Sequence, residues 1–136
     1  MTAIVLLPDI ERLYSTFLRA QPEIEAIVDD RVYTALPADK EFPLLRLTRV
    51  AGAPVMSRPL HLDSALVQVD AFGGSKRLAW QLAETCRAVT AARLVGGHTE
   101  GVVTNVAFGG LTDLPDLEFD PPKPRLLFTV TITAHP

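Results

Sequence analysis

One cysteine, few aromatic residues and no concentration of charge describe this chain first by what it lacks. The single Cys86 excludes an internal disulfide, and such sparing use fits a reducing compartment. Only 7% of the residues are aromatic, so Leu, Val, Ile and Ala have to fill the core. No apolar run approaches the roughly 20 residues needed to cross a bilayer. The start, Met1 to Leu7, is apolar but carries no basic leader and meets Pro8 at once, so it does not read as a signal peptide. A soluble chain without a membrane partner is expected. The thirteen Lys and Arg are scattered and the net charge is −3, so nothing matches the basic stripe that grips nucleic-acid phosphates. His61, His98 and His135 lie far apart with no i, i+4 pair. A structural zinc needs about four convergent ligands, so no metal is expected.

What is present suits one α+β domain spanning residues 1–136, with an apolar fraction of 48%. Ile10, Leu13, Tyr14, Phe17 and Leu18 follow helical spacing, with Asp9 as N-cap. Pro22 ends that helix and opens a short second one, whose buried side is Ile24, Ile27 and Val28. Strands are expected over 31–36, 44–50, 64–72, 102–108 and 125–134. In the last of these, Leu126, Phe128, Val130, Ile132 and Ala134 alternate with Arg125, Leu127, Thr129, Thr131 and Thr133. Residues 51–63, holding Gly52, Pro54 and Pro59, read as a long hairpin loop or the ragged tip of a hairpin. Residues 109–123 hold three prolines and four acidic residues and read as an irregular excursion. The main helix runs from about Lys76 to Leu94, capped by Ser75 and stopped by Gly96-Gly97, with Leu78, Leu82, Cys86 and Val89 as its apolar stripe. The order of elements predicts a mostly antiparallel sheet of about four to five strands with two main helices packed on one face.

Each chemistry-bearing pattern has an ordinary reading beside it. Gly73-Gly74-Ser75-Lys76 sits where a phosphate loop would sit, but Ser precedes Lys and Val69 occupies the earlier glycine position. A tight strand-to-helix turn is the expectation. Cys86 lies on the apolar stripe of a helix, where a thiol is inert, and not in a catalytic setting. Asp113, Asp116, Glu118 and Asp120 form an acidic cluster without the EF-hand pattern. A solvated loop is the first reading, a loop that orders against a neighbouring subunit the second, and a metal site the third. Trp80 falls away from the apolar stripe, near Glu84, Arg87 and Ala91. It marks a contact surface or packs beneath a loop of its own chain. The ten residues 125–134 span roughly 33 Å as a strand, and so long a strand exposes an edge unless something pairs with it or covers it, as the neighbours in a ring of subunits would.

Asp30-Arg31-Val32-Tyr33, then Leu36-Pro37, then Phe42-Pro43-Leu44 resembles the opening of phage tail terminator and tail-completion proteins. Val67-Gln68-Val69-Asp70-Ala71-Phe72, followed by Gly73-Gly74-Ser75 and an Ala-rich helix, is similar to their middle. Asp113-Leu114-Pro115-Asp116 and Pro124-Arg125-Leu126-Leu127-Phe128-Thr129-Val130 resemble their end, so the pattern covers about residues 5 to 134.

The resemblance implies a structural subunit of a long-tailed phage virion, with no catalytic residue, cofactor or metal. It implies a ring, six-fold in the familiar cases, on the last ring of the tail tube, at the head-proximal end. Such a ring stops tube polymerisation and docks to a neck or head-completion protein, DNA passes through its lumen without sequence-specific binding, and assembly takes place in the host cytoplasm. The candidate contact residues are Trp80 and Arg87 on the main helix, Arg58 and His61 in the first long loop, and Asp113, Asp116 and Glu118 in the second. The alternatives are a neck connector of the same virion and, in a different class, a small enzyme or ligand-binding domain using Cys86 or the Gly73-Gly74 turn.

Overall fold

The period-two alternation at 64–72 and 125–134 becomes the centre of a sheet. The computed structural model describes residues 4–55, 62–116, 119 and 121–136. Its elements are α1 (Ile10–Arg19), α2 (Pro22–Val28), β1 (Val32–Tyr33), β2 (Leu44–Pro54), β3 (Asp63–Phe72), α3 (Lys76–Arg93), β4 (Gly96–Gly97), β5 (Val102–Phe108), β6 (Thr112–Asp113) and β7 (Arg125–His135). The strand order is β1-β2-β3-β7-β5-β4, with β6 pairing alongside β7. All pairings are antiparallel except β1 with β2.

The fold class is α+β and the two main helices and the short one between them form as expected, but among the described residues the sheet has seven strands and not four to five. The extra strands are β4 and β6, and β1 is shorter than the expected 31–36. Two-residue strands carry too little sequence to show alternation, and the neighbour that they pair with determines them. Within 51–63, β2 continues to Pro54 and β3 begins at Asp63, so the loop there is shorter than expected. Register shifts between Arg49 and Ala51, and Gly52 at φ 114° carries the chain on. Pro54 is tolerated because β1 pairs only with Leu45 and Arg46, which leaves the far side of β2 without a strand neighbour there.

The three helices cover one face of the sheet. Asp9 accepts the Arg12 amide at the start of α1, Pro22 occupies the first turn of α2, and the Ser75 hydroxyl accepts the Leu78 amide at the start of α3. Ile10, Leu13, Tyr14 and Leu18 of α1, Ile24 and Val28 of α2, and Leu82, Cys86 and Val89 of α3 meet Leu45, Leu47, Val67, Val69, Phe128, Val130 and Ile132 in one core. A fully buried aliphatic of this kind contributes about 1.5–3 kcal/mol. Leu78 is only half-buried, and the buried polar Thr90 completes the inward side of α3 in its place.

The opposite face carries Thr48, Gln68, Thr129, Thr131 and Thr133, all half-buried, with no helix over them. At one end this face is covered. The segment 109–124, which we term the strap, runs beside β7 as β6, makes a bridge between Asp116 and Lys123, and brings Phe119 against Phe42 and Phe72. The irregular excursion expected from its prolines is therefore partly ordered into the sheet.

Candidate interaction surface

The candidate nucleophile comes first because its setting decides between chemistry and packing. Cys86 is fully buried, and burial pushes its thiol up to about 12. The Tyr14 hydroxyl lies 2.7 Å from Thr90 Oγ1 and 3.7 Å from Cys86 Sγ, while Thr90 Oγ1 donates to the Cys86 carbonyl at 2.7 Å. Burial, with Cys86 beside it, also raises the Tyr14 phenol well above its ordinary value. These three groups satisfy one another inside the core, away from solvent. At pH 8, maleimide labelling of Cys86 in the native protein is expected to be roughly a thousandfold slower than in the unfolded chain. Equal rates would make the thiol accessible. The sign of the linkage follows: the folded value lies above the ordinary one, so this group's stabilising contribution is complete below the ordinary thiol pKa. It is lost as the pH rises from there toward about 12.

The turn at 73–76 is a close packing device. A Cβ on Gly73 would come 2.5 Å from the Ala79 nitrogen and 2.7 Å from the Ser75 oxygen, whereas Gly74 faces open space. Lys76 pairs with Asp113 at 2.6 Å, tying the strap to the first turn of α3. His98 faces the Leu94 carbonyl at 2.7 Å and meets Phe17 edge-on, and His135 lies beside the Pro136 carbonyl. Among the described residues no group of His, Cys, Asp and Glu could hold a metal ion. Among them, too, no helix is long and apolar enough to cross a membrane.

Two ion-pair clusters were not singled out from the sequence. On the outer face, Asp70 is fully buried, 3.2 Å from Arg46 Nε and 3.6 Å from Arg125 Nη1, and accepts from Gln68 Nε2 at 3.0 Å. Both guanidiniums stand over the Phe72 ring, at 5.3 and 5.9 Å from its centroid. At the other end of the same strand, Arg49 grips Asp63 with two hydrogen bonds of 2.5 and 2.8 Å, and the Arg49 amide donates to Glu11 of α1 at 2.8 Å. The signal was partial: Asp63 is in phase with the inward Ala65, Val67 and Val69, whereas Asp70 is in phase with Ser64 and Gln68 and is buried among its ion-pair partners.

Of the candidate contact residues, Trp80 is 52% exposed on the outward side of α3. Arg87, half-buried, pairs with Glu84 on the same helix. Asp113 is held by Lys76. Asp116 is nearly buried, 3.8 Å from Arg125, so it faces inward and the solvated-loop reading does not hold for it. Arg58, His61 and Glu118 lie outside the described residues. Between α2 and α3 a groove of about 390 Å³, floored by Ala88, Val89 and Ala92, completes this side. At its rim, Arg93 hydrogen-bonds Glu23 at 2.8 Å and holds that carboxyl down at about 2. The structure thus brings Trp80, Arg87 and Glu84 together on one helix and leaves the strap acids facing other partners.

An α+β sheet with helices on one face, an inert thiol and an exposed aromatic on its main helix has the features of a structural subunit. The family model described as tail completion protein gp17 matches residues 14–113, well over half of the chain. The chain belongs to that family of phage tail-completion proteins and is a non-enzymatic structural component of the virion tail. No curated protein sequence matches it. Among solved structures, a chain of the "Virion of native gene transfer agent (GTA) particle" has the same fold. Its TM-score is 0.69 at 14% identity, over 93% of this chain and 95% of that one.

Proposed function

We propose that this chain assembles as a ring, six-fold in symmetry, on the head-proximal end of the tail tube, where it stops tube polymerisation and presents the surface to which the neck or head-completion protein docks. The family match over residues 14–113 carries this reading. Tube subunits stack head to tail, so the end of a tube presents an unfilled heterologous surface. A terminator matches that surface on one face and does not repeat it on the other. DNA passes through the lumen without sequence-specific binding. The reading is supported by the pairing of Arg46, Arg49, Arg93 and Arg125, among the described residues, with the chain's own carboxylates, which reduces the positive charge available to phosphates. Assembly takes place in the host cytoplasm.

The test is negative-stain microscopy of the purified protein mixed with tail-tube subunits. Short tubes of fixed length, each ending in a distinct ring, are expected. Long uncapped tubes with this protein free in the background would replace the terminator with a neck connector, to be checked against portal and head-closure rings. In the same assay, Arg58→Glu in the β2–β3 loop is expected to reduce the capped fraction at least about tenfold, the scale of one buried charge contact, with an unchanged thermal transition. A variant that caps normally would remove that loop from the tube contact.

A further inference from the structure

The outward side of α3 carries two unlike features. Trp80 projects with Arg77 and Gln81 beside it. Toward the C-terminal end of the helix, Ala88, Val89 and Ala92 floor the groove against α2, with Glu23 and Glu84 on its rim. Ala88 and Ala92 end at Cβ, so the groove has an apolar floor with room above it for a flat ring. At 3.6 residues per turn, Trp80 and the Ala88–Ala92 floor of the groove lie roughly 12–18 Å apart along the axis and point roughly 100° apart around it. Trp80 therefore cannot reach the groove of its own chain.

The charges agree with this pairing of shapes. Among the described residues, Arg77 makes no hydrogen bond or ion pair, and it stands beside the indole. The rim carboxylates Glu23 and Glu84 are each bound on one side by Arg93 and Arg87 and still have side chains 43% and 38% exposed.

We propose that Trp80 of one subunit seats in the Ala88–Ala92 groove of the next, with Arg77 approaching the rim carboxylates. The occupant is a second copy of this chain, in a head-to-tail contact. A two-fold pair would have to present both features to one partner, and their separation around the helix opposes that. A contact that uses one feature from each subunit leaves the complementary feature free on both, so it repeats and closes into a ring if the rotation allows. This deepens the ring reading and rests on it. The indole is the anchor of the contact, in the way that buried aromatics anchor other interfaces. One such anchor is small against the roughly 800 Å² per partner of a stable complex, so association depends on concentration.

Sedimentation velocity from about 10 μM to about 1 mM tests this. The wild-type protein is expected to form species larger than a dimer. Trp80→Ala and Ala88→Arg, both at exposed positions and with unchanged thermal transitions, are each expected to need about thirtyfold more protein to associate. An equimolar mixture of the two variants restores one contact and is expected to stop at a dimer. A wild-type protein that stops at a dimer, one that remains a monomer throughout, or a Trp80→Ala variant that associates like the wild type overturns the proposal. Its failure is separable from that of the terminator reading. Wild-type oligomers that need Trp80 but leave tubes uncapped overturn termination alone, and capping rings that form equally well with Trp80→Ala overturn this contact alone.

Discussion

Asp70→Ala is expected to destabilise the fold by about 3 kcal/mol and to lower the thermal midpoint by about 10 °C, although Asp70 touches neither the helices nor the main core. The aspartate sits opposite Arg46 in the β2–β3 register, and its carboxylate binds Arg46, Arg125 and Gln68 together. Removing it leaves two guanidiniums beside the Phe72 ring without the anion that they share. Arg125 is mostly buried, and Asp116 at 3.8 Å offers it only partial compensation. Arg46 remains a quarter exposed and can turn toward water, which puts the expected loss at the low end of the range for a broken buried pair. The strap should loosen at the same time, since Arg125 Nε donates to the Leu114 carbonyl at 2.9 Å. Limited proteolysis within 109–124, measured beside thermal unfolding by circular dichroism, reads this second effect. A loss below about 1 kcal/mol, the level of an ordinary exposed pair, would mean that the cluster is solvated and contributes little.

The cluster also explains why the strap is ordered. Its prolines prevent a regular strand, and what holds it is a set of side-chain contacts at one end of the sheet. Phe119 stacks edge-on to Phe42 and Phe72, Lys123 stands over Phe42, and Lys76 binds Asp113. The acidic residues proposed for outside contacts are thus partly committed within the chain. That shifts the expected intersubunit surface from the strap toward α3, where Trp80 makes no such commitment.

What could be read from the amino acids was periodic. The α1 positions Ile10, Leu13, Tyr14, Phe17 and Leu18 are all buried, and the alternation of β7 holds along its whole length. Both helix caps, Asp9 and Ser75, do what their side chains suggest. The proposed contact surface was legible only as an aromatic out of phase with its helix, at Trp80. The groove was not legible, because it needs α2 and α3 side by side, and Glu23 is 70 residues from Arg93. The short strands β4 and β6 were hidden for a similar reason, since their neighbours impose their pairing. Asp63 could have been flagged as a carboxylate in phase with Ala65, Val67 and Val69, but Arg46 appears opposite Asp70 only once the β2–β3 register is known, and Arg49 reaches Asp63 from outside that register.

Gly73 and Gly74 carry the same kind of lesson into a measurable contrast. In the sequence they are an equivalent pair of strand-ending glycines, and in the structure they are opposites. Gly73 is buried where β3 turns into α3, its amide donates to the Pro124 carbonyl at 3.1 Å, and an added methyl would meet backbone atoms of Ser75 and Ala79 at 2.7 Å or less. Backbone cannot swing aside as a flexible side chain can, so Gly73→Ala must displace the first turn of α3 or the end of the strap. The expected cost is about 2–3 kcal/mol, the upper part of the range for overpacking. Gly74→Ala adds a methyl in open space, at a residue without a positive φ, and only reduces the freedom of the unfolded chain. It is expected to be neutral or to stabilise by up to about 1 kcal/mol. Urea denaturation of the two variants should therefore separate their midpoints by roughly 3 kcal/mol in equivalent stability, with similar slopes. If both variants lose stability equally, the turn is held by glycine flexibility at two positions and not by the close approach of α3 to Gly73. Because this approach sets the direction in which α3 leaves the sheet, Gly73→Ala should also weaken self-association through Trp80, whereas Gly74→Ala should leave it unchanged.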